Sequence, residues 1–356
     1  MSTTSFTDTT RIPAAEAALR SWMTYPAWGT MCLVLLATAL LPVQVVAKIA
    51  PYPFLLSLVF LGLPHGSWDH LVVAAVQETR ISLRYLTIVC AIYSLLVALY
   101  AVVWFASPVL AFVLFILVSW LHWGQGDAAY LRQWQPASSG PPVWLTWLVR
   151  GGAPILVPVF RFPQEFARIA AGVTGLFGVS QEKDWLMPAW ARTVGLLLLA
   201  SLAAVYLVLL LRTALRGSPS IRTAAWEDAA EIALLYLTFS FANPVLAIGT
   251  YFCVWHGLRH IGRLLLLDEC ARTLCAKGNV VAAGGRFGWQ CLPILTVSLG
   301  MLAGAYQWAI RAGGSGGTPD VLFVYLALIA CLTFPHFLLV CWLDFRELRS
   351  THWQKK

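Results

Sequence analysis

The feature that constrains this chain most is a succession of apolar runs, each roughly 20 residues long, enough for one helix to cross the hydrocarbon core of a bilayer. Inside a bilayer every backbone polar group has to be satisfied within the protein, so runs of this kind fold as helices. The runs read as 28–47, 53–76, 85–105, 109–131, a weak one near 151–178, 189–211, 229–242, 244–267, 290–310 and 321–343. The expected fold is therefore all-α, a polytopic helical membrane bundle of 8–10 segments. Composition agrees. Of 356 residues, 59% are hydrophobic and 11% charged, where a soluble domain is about half apolar and a quarter charged. An ordinary soluble enzyme, a disordered chain and a nucleic-acid binder are excluded.

Punctuation and charge set the organisation. The stretch 226–267 is too long for one span, and Asn243-Pro244 offers a break, since proline lacks a donor and disfavours helix in the residue before it. Pro154, Pro158, Pro163, Arg161 and Arg168 make the 151–178 segment a candidate re-entrant or interfacial one. With ten segments, the 24 Lys and Arg residues divide 17 to 6 between the two sides, Arg150 and Arg263 counted among the 17 in inside loops, with Arg259 left inside a span. The excess belongs on the cytoplasmic side, so both termini are expected there, and the +8 formal charge needs no nucleic acid. The expected layout is a cytoplasmic segment 1–27, one membrane domain 28–345 and a cytoplasmic tail 346–356. Ala37-Thr38-Ala39 is a weak cleavage look-alike that the first apolar stretch runs past, so that stretch reads as a retained anchor. The eight cysteines form no CxxC pair and read as small hydrophobes.

Chemistry concentrates in histidine. Six of the seven histidines lie within apolar spans: His65, His70, His122, His256, His260 and His336. An ionisable residue in a span is costly and is by default a functional hypothesis. One such imidazole is well explained as a neutral hydrogen-bonding group between helices; six are not. In the ten-segment topology all six lie on spans that run from outside to inside, at one common depth just cytoplasmic of the midplane. A metal site explains a shared depth. His256 and His260 are four residues apart on one helix face, as are His65 and Asp69. Glycines near His65, His122 and His256 permit close approach of backbone, ligand or metal, and Pro64 and Pro335, each preceding a histidine, can open the helical ladder.

All-imidazole ligation with little acid suits iron, copper or zinc. Asp69 and Asp127 are candidate acceptors fixing histidine tautomers, with helix-end polarity the alternative for Asp127. Arg259 is either a snorkelling charge or the partner of Asp69 or Asp127. Trp68, Trp120, Trp123, Trp255 and Tyr251 flank the histidines. Either they line a slot for a long, polyene-like substrate, or they are lipid-facing and core aromatics.

Gly62-Leu63-Pro64-His65-Gly66 with Asp69-His70, His122-Trp123-Gly124 with Asp127, Trp255-His256 with Arg259-His260, and Pro335-His336 together resemble, in this order, the Brp/Blh family of integral-membrane β-carotene 15,15′-dioxygenases. The resemblance runs from about residue 50 to 345. It implies cleavage of the central double bond of β-carotene by O2 to two retinal molecules, at a non-haem Fe(2+) centre. It carries the ligand positions onto His65, His122, His256 and His260 and leaves His70 and His336 as extra ligands or neighbouring groups. It also implies a cell-membrane location and a link to a rhodopsin that receives the retinal. With no Lys deep in any span, the chain is not itself a rhodopsin. Two rival readings stand beside it. A membrane di-iron desaturase or hydroxylase would need more histidines, in clustered boxes. A haem-binding or transport protein would pair histidines across helices or relay protons.

Overall fold

The computed structural model describes residues 11–77, 79–134, 140–312 and 319–353, and among these every regular element is helical. The order is α1 (Arg11–Leu40), α2 (Val43–Ile49), α3 (Tyr52–Ser57), α4 (Gly62–Ser67), α5 (Asp69–Gln77), α6 (Leu83–Ala106), α7 (Pro108–Trp134), α8 (Val143–Arg161) and α9 (Pro163–Gly175). After a 3-10 turn at Glu182–Trp185 come α10 (Ala189–Arg216), α11 (Pro219–Phe241) and α12 (Pro244–Thr250). A π-helical turn, Tyr251–His256, joins α12 to α13 (Gly257–Leu267), followed by α14 (Glu269–Ala276), α15 (Val280–Ala312) and α16 (Val321–Trp353).

Eight stretches are long and apolar enough to cross a membrane: Ala14–Leu40, Val43–Gln77, Leu83–Ala106, Pro108–Gln133, Val143–Arg161, Ala189–Arg216, Val280–Ala312 and Val321–Arg346. The chain is a polytopic helical membrane bundle. Proline marks many of the helix starts, at the first turn where its missing N–H is not needed. Asn243 caps α12, its side-chain oxygen accepting from the backbone N–H of Val245 and Leu246, so the break expected at Asn243-Pro244 is present.

Several expected boundaries change. The first span runs from Ala14 to Leu40 and not over 28–47, because Leu41-Pro42 ends the helix. Helix α1 therefore passes straight through residue 27. The 53–76 segment is three short helices, interrupted by turns at 58–61 and at Trp68. The weak 151–178 segment resolves into a full-length helix, α8, and the short α9, divided at Phe162-Pro163. Arg150 lies inside α8, not in a loop. Pro64 falls in the first turn of α4 and opens no ladder.

Small residues decide how the inner helices meet. A Cβ on Gly124 of α7 would overlap the backbone of Trp147 in α8, and one on Gly151 of α8 would overlap the Trp120 carbonyl in α7. Without a hydrophobic force between helices in lipid, such close backbone approach is what drives their association. The Trp120 indole donates to the Leu148 carbonyl at 3.0 Å across the same contact. All eight cysteines are free.

Candidate metal centre

Four helical segments deliver imidazoles to one place. His65 comes from α4, His122 from α7, His256 from the end of the π turn and His336 from α16. One ligand nitrogen each of His65, His122 and His256 lies within 4.8 Å of the other two, and all three residues are buried. The His336 ring centroid is 5.1 Å from that of His65 and 4.8 Å from that of His122. His260, one helical turn beyond His256, is 5.3 Å from His65 and 5.0 Å from His336. The π turn, a deformation that recurs at functional sites, ends on His256 and sets the phase of the helix that carries His260.

The nitrogens carry their own argument. Both ring nitrogens of His122, and Nε2 of His256 and of His336, are buried with no hydrogen-bond partner. Leaving such groups unsatisfied costs about 1–3 kcal/mol each, which several together would not survive without a ligand. The Nδ1 of His336 is 2.7 Å from Asp69. Donation there fixes the tautomer and leaves the Nε2 lone pair for a metal, the carboxylate–histidine arrangement that orients ligands. Tyr93 from α6 secures Asp69 in turn, its hydroxyl 3.1 Å from the carboxylate and 3.2 Å from the Leu332 carbonyl. His65 Nδ1 faces the Leu61 carbonyl at 3.3 Å, which likewise leaves Nε2 as its acceptor nitrogen. The residues present fit a metal, and an imidazole set suits iron, copper or zinc.

Glycine controls access here too. A Cβ on Gly126 would stand 3.2 Å from the His256 ring, and one on Gly257 would stand 2.9 Å from the Leu61 carbonyl.

Behind His256 and His260 lies a second polar layer. Arg150 donates to Asp127 at 2.9 Å, to Asp228 at 2.6 Å and to Glu231; Arg259 donates to Asp127 at 3.0 Å and to Glu231. The Trp255 indole donates to Asp127, Tyr206 to Asp228 and Trp28 to Glu231. Two guanidinium groups thus face three carboxylates, and Arg150 itself has no exposed surface. Arg259 is neither a snorkelling charge nor a partner of Asp69: it lies 4.0 Å over the Tyr130 ring and holds its helix to α7 and α11. Arg263, expected in a cytoplasmic loop, is buried against Asp344 at 2.5 Å.

A cavity of about 550 Å³ opens beside the histidines, within the usual range for small-molecule sites. His65, His122, His256 and His336 form part of its wall, with mainly apolar lining from Phe112, Phe115, Trp123, Phe166, Phe252 and Leu326.

Not every expected site residue joins this arrangement. His70 lines the cavity but stands outside the ring cluster, with Nδ1 on the Ser67 carbonyl at 3.0 Å. Asp127 meets no histidine among the described residues; its oxygens are taken by Arg150, Arg259 and Trp255. Of the five aromatics expected in a substrate slot, only Trp123 lines the cavity, and Trp120 is taken up by the contact with α8. Trp68 instead packs on Phe287 and donates to Gln290. Tyr251 and Trp255 stack on each other beneath the cavity wall and are fully buried. Tyr93, Gly126, Arg150, Asp228 and Glu231 were not singled out from sequence. The one available signal was Asp228 and Glu231 three residues apart at the head of an apolar run.

Known proteins resemble this chain over most of its length. A family model described as β-carotene 15,15′-dioxygenase matches residues 56–344. A protein named "Probable beta-carotene 15,15'-dioxygenase Blh" from Halobacterium salinarum is 33% identical, over 82% of this chain and 84% of its own length. A "Probable beta-carotene 15,15'-dioxygenase Brp" of the same organism is 25% identical, over 82% of each chain. A "Beta-carotene 15,15'-dioxygenase" from an uncultured marine bacterium is 22% identical, over 79% of this chain and 90% of its own. No solved structure matches.

Proposed function

Because the chain belongs to the β-carotene 15,15′-dioxygenase family, we propose that it cleaves the central double bond of β-carotene with O2 to give two molecules of retinal. The reaction balances without another reductant: the C=C bond breaks, and each carbon takes one oxygen atom as an aldehyde. The chain is an oxidoreductase and a multi-pass membrane protein. The observation that carries the rest is the convergence of His65, His122 and His256 on the wall of an apolar cavity inside the membrane.

Fe(2+) is the metal, held by His65, His122 and His256 with His260 as the fourth imidazole. His336, anchored by Asp69, adjoins them. Ferrous iron would supply the activation of O2 that an all-carbon double bond cannot obtain from side chains alone. The protein's own residues do the remainder. Asp69 and the Leu61 carbonyl orient His336 and His65. Gly126 keeps the space that the His256 ring occupies. The apolar wall of Phe112, Phe115, Phe166, Phe252 and Leu326 binds the polyene and excludes water from the reacting bond.

Retinal is the chromophore of rhodopsins, so a rhodopsin in the same membrane is the natural recipient. That membrane is the cell membrane, with both termini cytoplasmic, as the excess of basic residues on one side supports. A reporter fused after Lys356 should appear in the cytoplasm. The test of function is expression in carotene-accumulating cells, which should bleach and accumulate retinal. His65→Ala, His122→Ala, His256→Ala and His260→Ala should each abolish both changes. Full activity in any two of the four would overturn the ligand assignment, and intact β-carotene with the wild-type chain would overturn the substrate.

A further inference from the structure

The histidine cavity does not stop at the protein's interior. Its lining includes Ser94 and Ala98 from the middle of α6 and Val297 and Met301 from the middle of α15, and all four are exposed on the outer surface of the helices. Among the described residues these two helices are not packed along their lengths. They are joined near their outer ends, where Phe105 of α6 meets Trp308 of α15 at 5.5 Å and both rings contact Phe177. Towards the other end, Tyr85 ties α6 to α5, accepting from the Ala74 N–H and donating to the His70 carbonyl. Trp68, immediately before α5, in turn packs on Phe287 and donates to Gln290 of α15, so a gap bounded at both ends is left halfway along two membrane-spanning helices, and its floor leads to the histidines.

The depth of the gap decides what it meets. Halfway along a span there is hydrocarbon and no water. An opening there exposes apolar residues to lipid and admits only molecules dissolved in lipid. We infer that the space between α6 and α15 is a lateral portal, rimmed by Ser94, Ala98, Val297 and Met301, through which β-carotene passes from the bilayer core into the metal site. The inference rests on the functional reading above. Its occupant follows from the continuity of the gap with the apolar cavity: a long hydrocarbon can slide from lipid to the histidines without crossing water.

The portal makes substrate entry, and not chemistry, sensitive to its rim. In phosphatidylcholine vesicles loaded with β-carotene, Ala98→Trp and Val297→Trp should lower kcat/KM about tenfold or more. Leu95→Trp, on the lipid-facing side of α6 and outside the cavity lining, should leave it unchanged. Protein purified without O2 and already holding β-carotene should release retinal on admission of O2 at the wild-type rate in the rim variants. Ser94→Phe and Ala98→Phe, smaller additions at the same rim, carry the test if tryptophan lowers the yield of folded protein. Rim variants with wild-type kcat/KM would overturn the portal and mark the gap as a groove for lipid acyl chains. A retinal burst slowed as much as kcat/KM would overturn it too, since the residues would then act on the site itself. Uptake of β-carotene into the protein, read from its absorption, separates this inference from the reaction. Slow uptake in the rim variants, with no retinal from wild type, would keep the portal and remove the activity.

Discussion

Arg150→Met removes the most connected cation in the membrane interior, and the structure gives the size of the loss. Arg150 bonds three carboxylates. Without it, Asp127 keeps Arg259 and the Trp255 indole, and Glu231 keeps Arg259 and the Trp28 indole. Among the described residues, Asp228 keeps only the Tyr206 hydroxyl. The cluster passes from two cations against three carboxylates to one against three, all buried, where charges are screened much less than at a surface. Breaking one side of a buried pair costs about 3–5 kcal/mol, because a buried charge is left uncompensated. Asp228→Asn removes the surplus carboxylate instead and should cost only about 1 kcal/mol, the worth of an altered hydrogen bond. The double variant should recover about 1–3 kcal/mol of the Arg150→Met loss, the coupling expected of residues in contact. Far-UV circular dichroism against SDS mole fraction, in mixed detergent micelles, measures all three. An Arg150→Met loss no larger than about 1 kcal/mol, or a double variant equal to the sum of the singles, would refute the ion cluster as described.

Other consequences follow from the same geometry. Asp69→Asn weakens the hold on His336, whose ring packs against those of His65, His122 and His260, and should lower iron affinity about tenfold, the lower end of what losing a carboxylate partner beside a metal costs; an anaerobic Fe(2+) titration reads it. Gly126→Ala places a Cβ 3.2 Å from the His256 ring and forces it aside by a few tenths of an ångström. Since a displacement of about 1 Å can cost a hundredfold, kcat should fall about threefold to tenfold with the protein still folded. Gly124→Ala, which meets the Trp147 backbone and not a ring, should instead reduce the yield of folded protein in detergent. A membrane-permeant ferrous chelator should abolish retinal formation. Activity should return with Fe(2+) and not with Zn²⁺, which has no redox chemistry.

Much of the site was legible because histidine is so rarely placed in a membrane span. Depth alone collected six histidines, and the structure brings the rings of five together, His65, His122, His256, His260 and His336, with His70 outside them. What stayed hidden has one physical cause: a charge inside a span looks like a loop until its partner is known. Arg150 and Arg263 read as cytoplasmic because hydropathy along the chain does not register carboxylates at Asp228 and Asp344, which are remote in sequence and adjacent in space. The aromatics failed for a related reason. Trp68, Trp255 and Tyr251 neighbour histidines in sequence, but a helix sends successive side chains in different directions, and these three point away from the cavity. Tyr93, far from any histidine in sequence, points into it. The breaks at 58–61 and the π turn at Tyr251–His256 depend on packing against other helices, which no local pattern records.

The central claim is that buried histidines of this chain hold a single iron that cleaves β-carotene. It is tested most directly by the retinal formed as Fe(2+) is titrated into metal-free purified protein, with β-carotene consumption followed alongside. The account expects activity to rise from zero and saturate at one iron per chain, with two retinals for each β-carotene lost. Retinal formation in the iron-free protein, saturation only at two irons per chain, or no retinal at any iron loading would contradict it.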